Sequence, residues 1–369
     1  MKYLLICNAS QNVITFRRSL ILMLLNEKNE VAVVASDEEY RKEIEELGVK
    51  FYICNANNRS VNIFKAFSYK RSIRKVIEKE QPDIVFTFQA KPNTFGVFAA
   101  KKEKVSKIFA MVEGAGDVFI NTGFKWKIIR KITCSLYRKS FKYCKKVFFL
   151  NEDDKSEFIT RKLVREDQTV VIHGVGVDLE YFSYKPVKNY RTFLMVARML
   201  KTKGVYEYCK CARIVKQKYP DAVFNYIGAE GTVKLADIQE YIEDGSIHYL
   251  GTTKDVRPYY VDSLLLLLLS SYREGLPMSI MEAESAGRAI ITSDNIGCRE
   301  TVIDGYNGFL IEQKDYEQMA EKVIWCIEHP QETEEMGRNA RKYAEKNFDQ
   351  KIINQQIMDG ILEGLDNER

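Results

Sequence analysis

Histidine is scarce in this sequence: three in 369 residues, at positions 173, 248 and 329. None has a second histidine at ligand spacing, so no histidine cluster offers a metal site. Eight cysteines are scattered without ligand spacing. Cys209 and Cys211 are one residue apart, and Cys134 and Cys144 have no His or Cys set nearby. This excludes a zinc module or disulfide framework and reads as reduced, cytoplasmic thiols. No apolar run is long enough to cross a bilayer; Leu264 to Leu269, six leucines, is far too short. No signal peptide is expected, since Met1-Lys2 leads directly into Tyr3 to Cys7, which reads as a first strand. The turn after it, Asn8-Ala9-Ser10-Gln11-Asn12, has no glycine, so the G-x-G-x-x-G fingerprint of a dinucleotide-binding dehydrogenase is missing. Internal repeats and low-complexity segments are also missing.

What is present points to a two-domain α/β protein. Hydrophobic residues make up 46% of the chain, enough for large cores, and the length suits two domains. Short apolar runs alternate with helical patterns. Strands are expected at Tyr3–Cys7, Glu30–Ala35, Val49–Cys54, Asp83–Phe88, Ile108–Val112, Val147–Leu150 and Val170–His173. After a linker over 178–190, they resume at Phe193–Ala197, Ala222–Ile227, Ile247–Leu250, Leu264–Leu269, Ala289–Ser293 and Gly308–Ile311. Charge divides unevenly. Residues 1–189 hold 34 Lys and Arg against 22 Asp and Glu, a net +12; the remainder nets −7, which gives the overall +5. A basic half suggests an anionic partner: membrane lipid, nucleic acid or a phosphorylated substrate.

The most informative stretch is Ser270-Ser271-Tyr272-Arg273-Glu274-Gly275-Leu276-Pro277-Met278-Ser279-Ile280-Met281-Glu282-Ala283. The leucine run before it reads as a strand buried on both faces of a parallel sheet. Pro277 keeps Leu276 out of helical geometry and suits a first helical position. Strand, tight turn and helix make the place where open α/β sheets bind ligands. Backbone N–H groups of Gly275, Leu276, Met278 and Ser279 could face a phosphate there, and the helix dipole favours the anion. Two carboxylates beside an anion site, Glu274 and Glu282, make sense if they accept hydrogen bonds from sugar hydroxyls. The combination describes a nucleotide-sugar site.

Glu274 and Glu282, with seven residues between them, resemble the E-x7-E motif of retaining glycosyltransferases of family 4, which have the GT-B fold. Glu282-Ala-x-x-Ala-Gly287, Gly297-Cys298-Arg299-Glu300 and Asp304-Gly305-Tyr306-Asn307-Gly308 extend the likeness. The resemblance implies two Rossmann-like parallel-sheet domains facing a cleft. They would span 1–182 and 190–350, with 352–369 crossing back onto the first. It implies that Glu274 binds donor-sugar hydroxyls and Glu282 the ribose. Arg198, Lys203 and the backbone of Gly275, Leu276, Pro277, Met278 and Ser279 would hold the diphosphate of a UDP-sugar. Two cations and a helix terminus can neutralise that leaving group without a divalent ion, so no metal or cofactor is expected. The strand ends near Gly228 and Leu250 to Val256 would hold the base. Where many relatives carry a histidine-glycine pair that touches the donor sugar, this sequence has Glu113-Gly114, and Glu113 could orient a hydroxyl or receive a proton.

The N-terminal half narrows the acceptor. Lys91 to Gly96 and Val112 to Gly116 resemble the α-1,3-N-acetylgalactosaminyltransferases of bacterial protein-glycosylation, O-antigen and capsule pathways. Those enzymes act on sugars carried by undecaprenyl diphosphate. Arg17, Lys91, Asn93, Trp126, Arg130 and Lys131 are the expected contacts to that acceptor and to an anionic membrane on its cytoplasmic face. Residues 124 to 149, dense in lysine and arginine, read as a basic amphipathic helix with an aromatic entry, and equally as a packed helix with a solvated basic face. Alternatives are a transferase of another hexose or on a soluble acceptor, or a UDP-sugar epimerase of the same fold. A nucleic-acid binder is disfavoured, because the basic stretch lacks interleaved exposed aromatics.

Overall fold

The computed structural model describes residues 1–54, 63–121 and 123–366; the last residues of the C-terminal segment, 367–369, lie outside these. The chain divides into two compact units, one of residues 1–175 with 351–369, the other of residues 176–350. The first is built on seven parallel strands: β1 (Lys2–Ile6), β2 (Glu30–Ala35), β3 (Lys50–Ile53), β4 (Ile84–Phe88), β5 (Lys107–Val112), β6 (Lys146–Phe149) and β7 (Thr169–Val171). Their order is β3-β2-β1-β4-β5-β6-β7. The second has six parallel strands: β8 (Thr192–Val196), β9 (Val223–Ile227), β10 (His248–Tyr249), β11 (Leu265–Leu268), β12 (Ala289–Ser293) and β13 (Gly308–Ile311), ordered β10-β9-β8-β11-β12-β13. Every strand anticipated from the apolar runs is present; the central strands are apolar along their length because they are covered on both faces, while the edge strands β3, β7 and β10 are only partly buried.

Both sheets reverse direction once: between β1 and β4 in the first, between β8 and β11 in the second. Loops leaving those strands at their carboxyl ends part to opposite faces and leave a crevice. In the second unit the flanking loops are 197–204 and 269–277. The leucine run lies at the centre of that sheet, with Leu264 to Leu269 all at most 2% exposed. Burying each leucine is worth about 1.5–3 kcal/mol, so the strand that delivers residues 270–274 is rigidly held.

The first unit closes with the helix Gln350–Asp366. Gly360 and Gly364, one turn apart, lie on the aromatic layer of the sheet. A Cβ on Gly360 would stand 2.7 Å from Phe148 Cε1, and one on Gly364 would stand 2.8 Å from Phe109 Cε1. The missing side chains let the helix backbone approach the sheet, so the C-terminal segment returns to the first unit. The linker residues belong to the second unit. Arg341 donates to the carbonyls of Leu179 (3.1 Å), Phe182 (3.3 Å) and Ser285 (2.8 Å), and buried Arg288 donates to the carbonyl of Lys185. The first unit therefore ends at residue 175, seven residues before the expected boundary.

The first helix spans Ser10–Asn26, and the helix of the E-x7-E stretch starts at Met278, one residue after the Pro277 start expected from the sequence. Pro277 is its N-cap, with extended ψ of 118°. No helix among the described residues is long and apolar enough to cross a membrane.

Candidate active site

The site in the second unit is assembled by two loops drawn together at the β8/β11 reversal. After β8 the chain makes a single 3-10 turn, Lys201–Lys203, and ends it at Gly204, whose φ is +80°. A Cβ on Gly204 would stand 2.5 Å from the carbonyl oxygen of Leu269. Only glycine allows both that dihedral and that approach. The turn therefore lies directly on the end of β11, where the N–H groups of Ser271 (2.8 Å) and Tyr272 (3.1 Å) donate to the Thr202 carbonyl.

This contact brings Lys203 to Glu274. Their side chains form an ion pair, 20% and 10% exposed, and Ser270 Oγ donates to the same carboxylate oxygen at 2.8 Å. The backbone beneath is tied down in turn. Asn295 donates its amide to the carbonyls of Ser270 (3.0 Å) and Tyr272 (2.7 Å), and Ser293 Oγ donates to the Ser270 carbonyl at 2.5 Å. Gly297 closes the back of the loop with φ +85°. A Cβ there would stand 2.6 Å from the Glu274 carbonyl oxygen and 2.7 Å from its Cβ. Glu274 is thus a nearly buried, pre-positioned carboxylate with a cation against it, not a solvated turn residue.

Gly275, Leu276 and Pro277 are buried, while Met278 and Ser279 are half-buried and open the helix Met278–Ser285 without a side-chain cap. Its amino end meets the fixed carboxylate turn. Glu282 projects from the second turn and is half-buried. Tyr260, fully buried, donates its hydroxyl to Glu282 Oε2 at 2.8 Å. Burial pushes the Glu282 carboxyl up to about 7, and the Tyr260 hydrogen bond opposes that rise. Two residues further, Glu284 is fully buried and held by the Asn307 amide at 2.7 Å, with burial raising its pKa well above the carboxylate range. Arg198 is exposed on the loop after β8.

Gly228, expected near the base, has a packing reason of its own: a Cβ there would stand 1.8 Å from the Ala197 carbonyl oxygen. Leu250 is 40% exposed at the end of β10, whereas Val256 is half-buried against the core of this unit.

The corresponding crevice of the first unit holds a second polar cluster. Gln89, at the end of β4, has φ +68°. Its side chain accepts from Asn8 N–H at 3.1 Å and donates to Glu113, linking the loops after β1, β4 and β5. Glu113 also pairs with Arg17, which is 1% exposed and lies 4.1 Å from the centre of the Phe88 ring. Burial lowers the Arg17 pKa to about 10. Asp154 holds the Gly114–Gly116 loop by accepting from Ala115 N–H at 3.1 Å. The glycine-free first turn is filled from within the protein. Asp37 accepts from Ser10 N–H at 3.3 Å and from Ser10 Oγ. That carboxylate sits at the amino end of the first helix, where it opposes a bound phosphate.

Three residues expected to meet the acceptor or a membrane are turned inward. Arg17 is buried on Glu113. Asn93 is fully buried: its amide donates to the Met111 carbonyl at 2.7 Å and its oxygen accepts from Thr87 Oγ1 at 2.8 Å. Arg130 donates to the carbonyls of Val118 (2.7 Å) and Asn121 (2.6 Å). In each case a backbone carbonyl or carboxylate inside the unit takes the donor, because leaving a buried polar group unsatisfied costs about 1–3 kcal/mol. Lys91 and Trp126 are half-buried, and Lys131 is exposed. Burial lowers the Lys91 pKa. The residues missed from sequence are Ser270, Tyr260, Asp37 and Gln89. Only Ser270 carried a signal, as the first polar residue after the leucine run. No group of His, Cys, Asp and Glu that could hold a metal ion occurs among the described residues.

Comparison with known proteins shows the family. Residues 178–343 match the model for glycosyl transferases group 1, and residues 2–151 match that for glycosyl transferase 4-like domains. The chain is 31% identical over 365 residues to the N,N'-diacetylbacillosaminyl-diphospho-undecaprenol α-1,3-N-acetylgalactosaminyltransferase of Campylobacter jejuni, covering 95% of this chain and 96% of that one. It is 24% identical to the Escherichia coli UDP-Gal:α-D-GlcNAc-diphosphoundecaprenol α-1,3-galactosyltransferase, over 82% of this chain and 81% of that one. Among solved structures, Anabaena HepE in complex with UDP superposes with a TM-score of 0.80 at 17% identity, covering 97% of this chain and 99% of that one. The chain belongs to the family-4 (group 1) glycosyltransferases with the GT-B fold.

Proposed function

We propose that this glycosyltransferase moves an N-acetylhexosamine, GalNAc first among the candidates, from a UDP-sugar to a sugar carried on undecaprenyl diphosphate. The anomeric configuration is retained. The observation that carries the reading is the Lys203–Glu274–Ser270 cluster at the β8/β11 reversal, beside the uncapped helix at Met278. It places a fixed cation and a fixed carboxylate side by side. Phosphate oxygens and sugar hydroxyls of one donor need that adjacency.

In this reading Glu274 accepts from donor-sugar hydroxyls and Glu282 from the ribose. Arg198, Lys203 and the N–H groups at the start of the helix stabilise the charge that grows on the departing diphosphate, the moment when pre-positioned donors act most strongly. No divalent ion is needed for that step. The departing phosphate oxygen assists removal of the acceptor proton on the same face. The acceptor assignment is supported by the likeness to the Campylobacter and Escherichia transferases, both named for diphospho-undecaprenol substrates. Such an acceptor places the enzyme on the cytoplasmic face of the membrane in surface-polysaccharide or glycoprotein assembly.

The test is a screen of UDP-GalNAc, UDP-GlcNAc, UDP-Gal and UDP-Glc against undecaprenyl-diphosphate-linked sugars, read by mass spectrometry. A mass gain of one N-acetylhexosamine is expected. A gain of one hexose would replace the donor, favouring the galactosyltransferase-like reading. Isomerised or free sugar without any acceptor product would reject transfer to lipid.

A further inference from the structure

The helix Phe124–Ser140 leaves an apolar stripe in water. Phe124 is 80% exposed, Ile128 46% and Ile132 48%. Spaced four apart, the three lie along one side of the helix. Lys125, Lys127, Lys131 and Lys139 are exposed around them. The arginines of this helix do other work. Arg130 holds the 118–121 loop, and Arg138 donates to the carbonyls of Lys162 and Arg161, both at 3.0 Å. Tyr137 packs inward on Phe141 and Phe158. The helix is therefore anchored on its inner side by arginine and aromatic contacts. Its outer side is apolar in the middle and lysine-rich at the edges.

Ordinary solvated helices do not keep a phenylalanine and two isoleucines in line in water. A second copy of the chain is a poor match, since two such faces would bring their lysines together. An anionic bilayer satisfies both features. The stripe enters the headgroup–acyl boundary, and lysine stems reach outward to lipid phosphates. We propose that the Phe124–Ile128–Ile132 face docks this enzyme on an anionic lipid surface, with the flanking lysines supplying the charge selectivity. The proposal deepens the membrane-borne acceptor reading above and rests on it for its biological sense. Arg17, Asn93 and Arg130 take no part.

The test is flotation of the full chain with phosphatidylglycerol–phosphatidylcholine vesicles and with pure phosphatidylcholine vesicles, no sugar or acceptor being added. The chain should float with the anionic vesicles only. Replacing three lysines, as in K125Q/K127Q/K131Q, should weaken that partitioning about 100-fold at low salt, since each lysine near an anionic surface contributes roughly fivefold. F124S/I128S/I132S should weaken it at least about tenfold. The single variant F124S, at a position 80% exposed, gives a smaller loss and should change stability by no more than about 0.5 kcal/mol. Far-UV circular dichroism melts confirm that the variants fold.

Wild-type flotation that is absent, indifferent to lipid charge, or unchanged in folded variants overturns the proposal. So does a dimer that F124S/I128S/I132S converts to monomer while flotation persists, or equal lysine-dependent retention on an oligonucleotide. Because vesicle binding is read without chemistry, a failed donor screen and a failed flotation are separate results.

Discussion

Gly297→Ala should disable the enzyme through the backbone of Glu274, a residue 23 positions earlier in the sequence. The new Cβ would stand 2.6, 2.7 and 2.8 Å from the Glu274 carbonyl oxygen, Cβ and carbonyl carbon. No rotamer change relieves contacts that close, because two of the three atoms are main chain. Alanine at φ +85° costs about 1–2 kcal/mol by itself, and forcing a methyl into a packed site adds about 1–3 kcal/mol. Gly305→Ala is the control. Its φ is +74°, and nothing lies within 4 Å of the Cβ it would gain. It carries the dihedral cost alone.

Calorimetric melting separates the two effects. At roughly 2–4 °C per kcal/mol, Gly297→Ala should lower Tm by about 4–20 °C and Gly305→Ala by about 2–8 °C. Activity should part more sharply. Displacing a positioning carboxylate by about 1 Å costs on the order of 100-fold in kcat/KM, whereas Gly305→Ala should stay within about twofold. Equal Tm and equal kcat/KM for the two variants would refute the claim that Gly297 exists to admit the Glu274 backbone.

Glu274→Gln should keep the fold and lower kcat/KM by about 100- to 1000-fold, the usual loss when one fixed electrostatic contact is removed; turnover at wild-type rate would sink its assignment. Arg17→Met should cost about 3–5 kcal/mol in urea denaturation because it strands Glu113, and Arg17→Met/Glu113→Leu should recover part of that loss; a single variant within about 1 kcal/mol of wild type would show that the pair is dispensable. Glu282, raised from 4.5 to about 7 by burial, binds its proton more tightly folded than unfolded. Its contribution to stability is complete below the unfolded pKa and is lost as pH rises through 7, so Glu282→Gln should flatten the stability–pH curve between about 4.5 and 7. An unchanged slope in that variant would place the titration elsewhere. Activity should survive a chelator such as EDTA; its abolition, with rescue by added magnesium or manganese, would contradict neutralisation of the diphosphate by Arg198, Lys203 and the helix terminus.

How much was readable in advance depended on range. The central strands were plain in the sequence because burial on both faces demands an uninterrupted apolar run, and the partly exposed edge strands β3, β7 and β10 were legible as shorter apolar stretches. The candidate site was plain at Glu274 and Glu282 because a leucine strand, a Gly-Leu-Pro turn and a helix are contiguous there. Lys203 and Glu274 stand 71 positions apart, and nothing local announces that they touch; the glycine at 204, lying against Leu269, arranges it. Charge alone also could not tell which cations face water. Arg17, Arg130 and Lys131 are equally basic letters, yet the first neutralises a buried acid, the second closes a loop and only the third is exposed. Amino-acid order by itself determined the layers, the strand register of burial and the chemistry available at one turn, since these follow from periodicity and neighbouring residues. Tertiary structure alone decided which donors were consumed inside each unit and which remained for a ligand, because an unsatisfied buried group takes the nearest partner regardless of its distance along the chain.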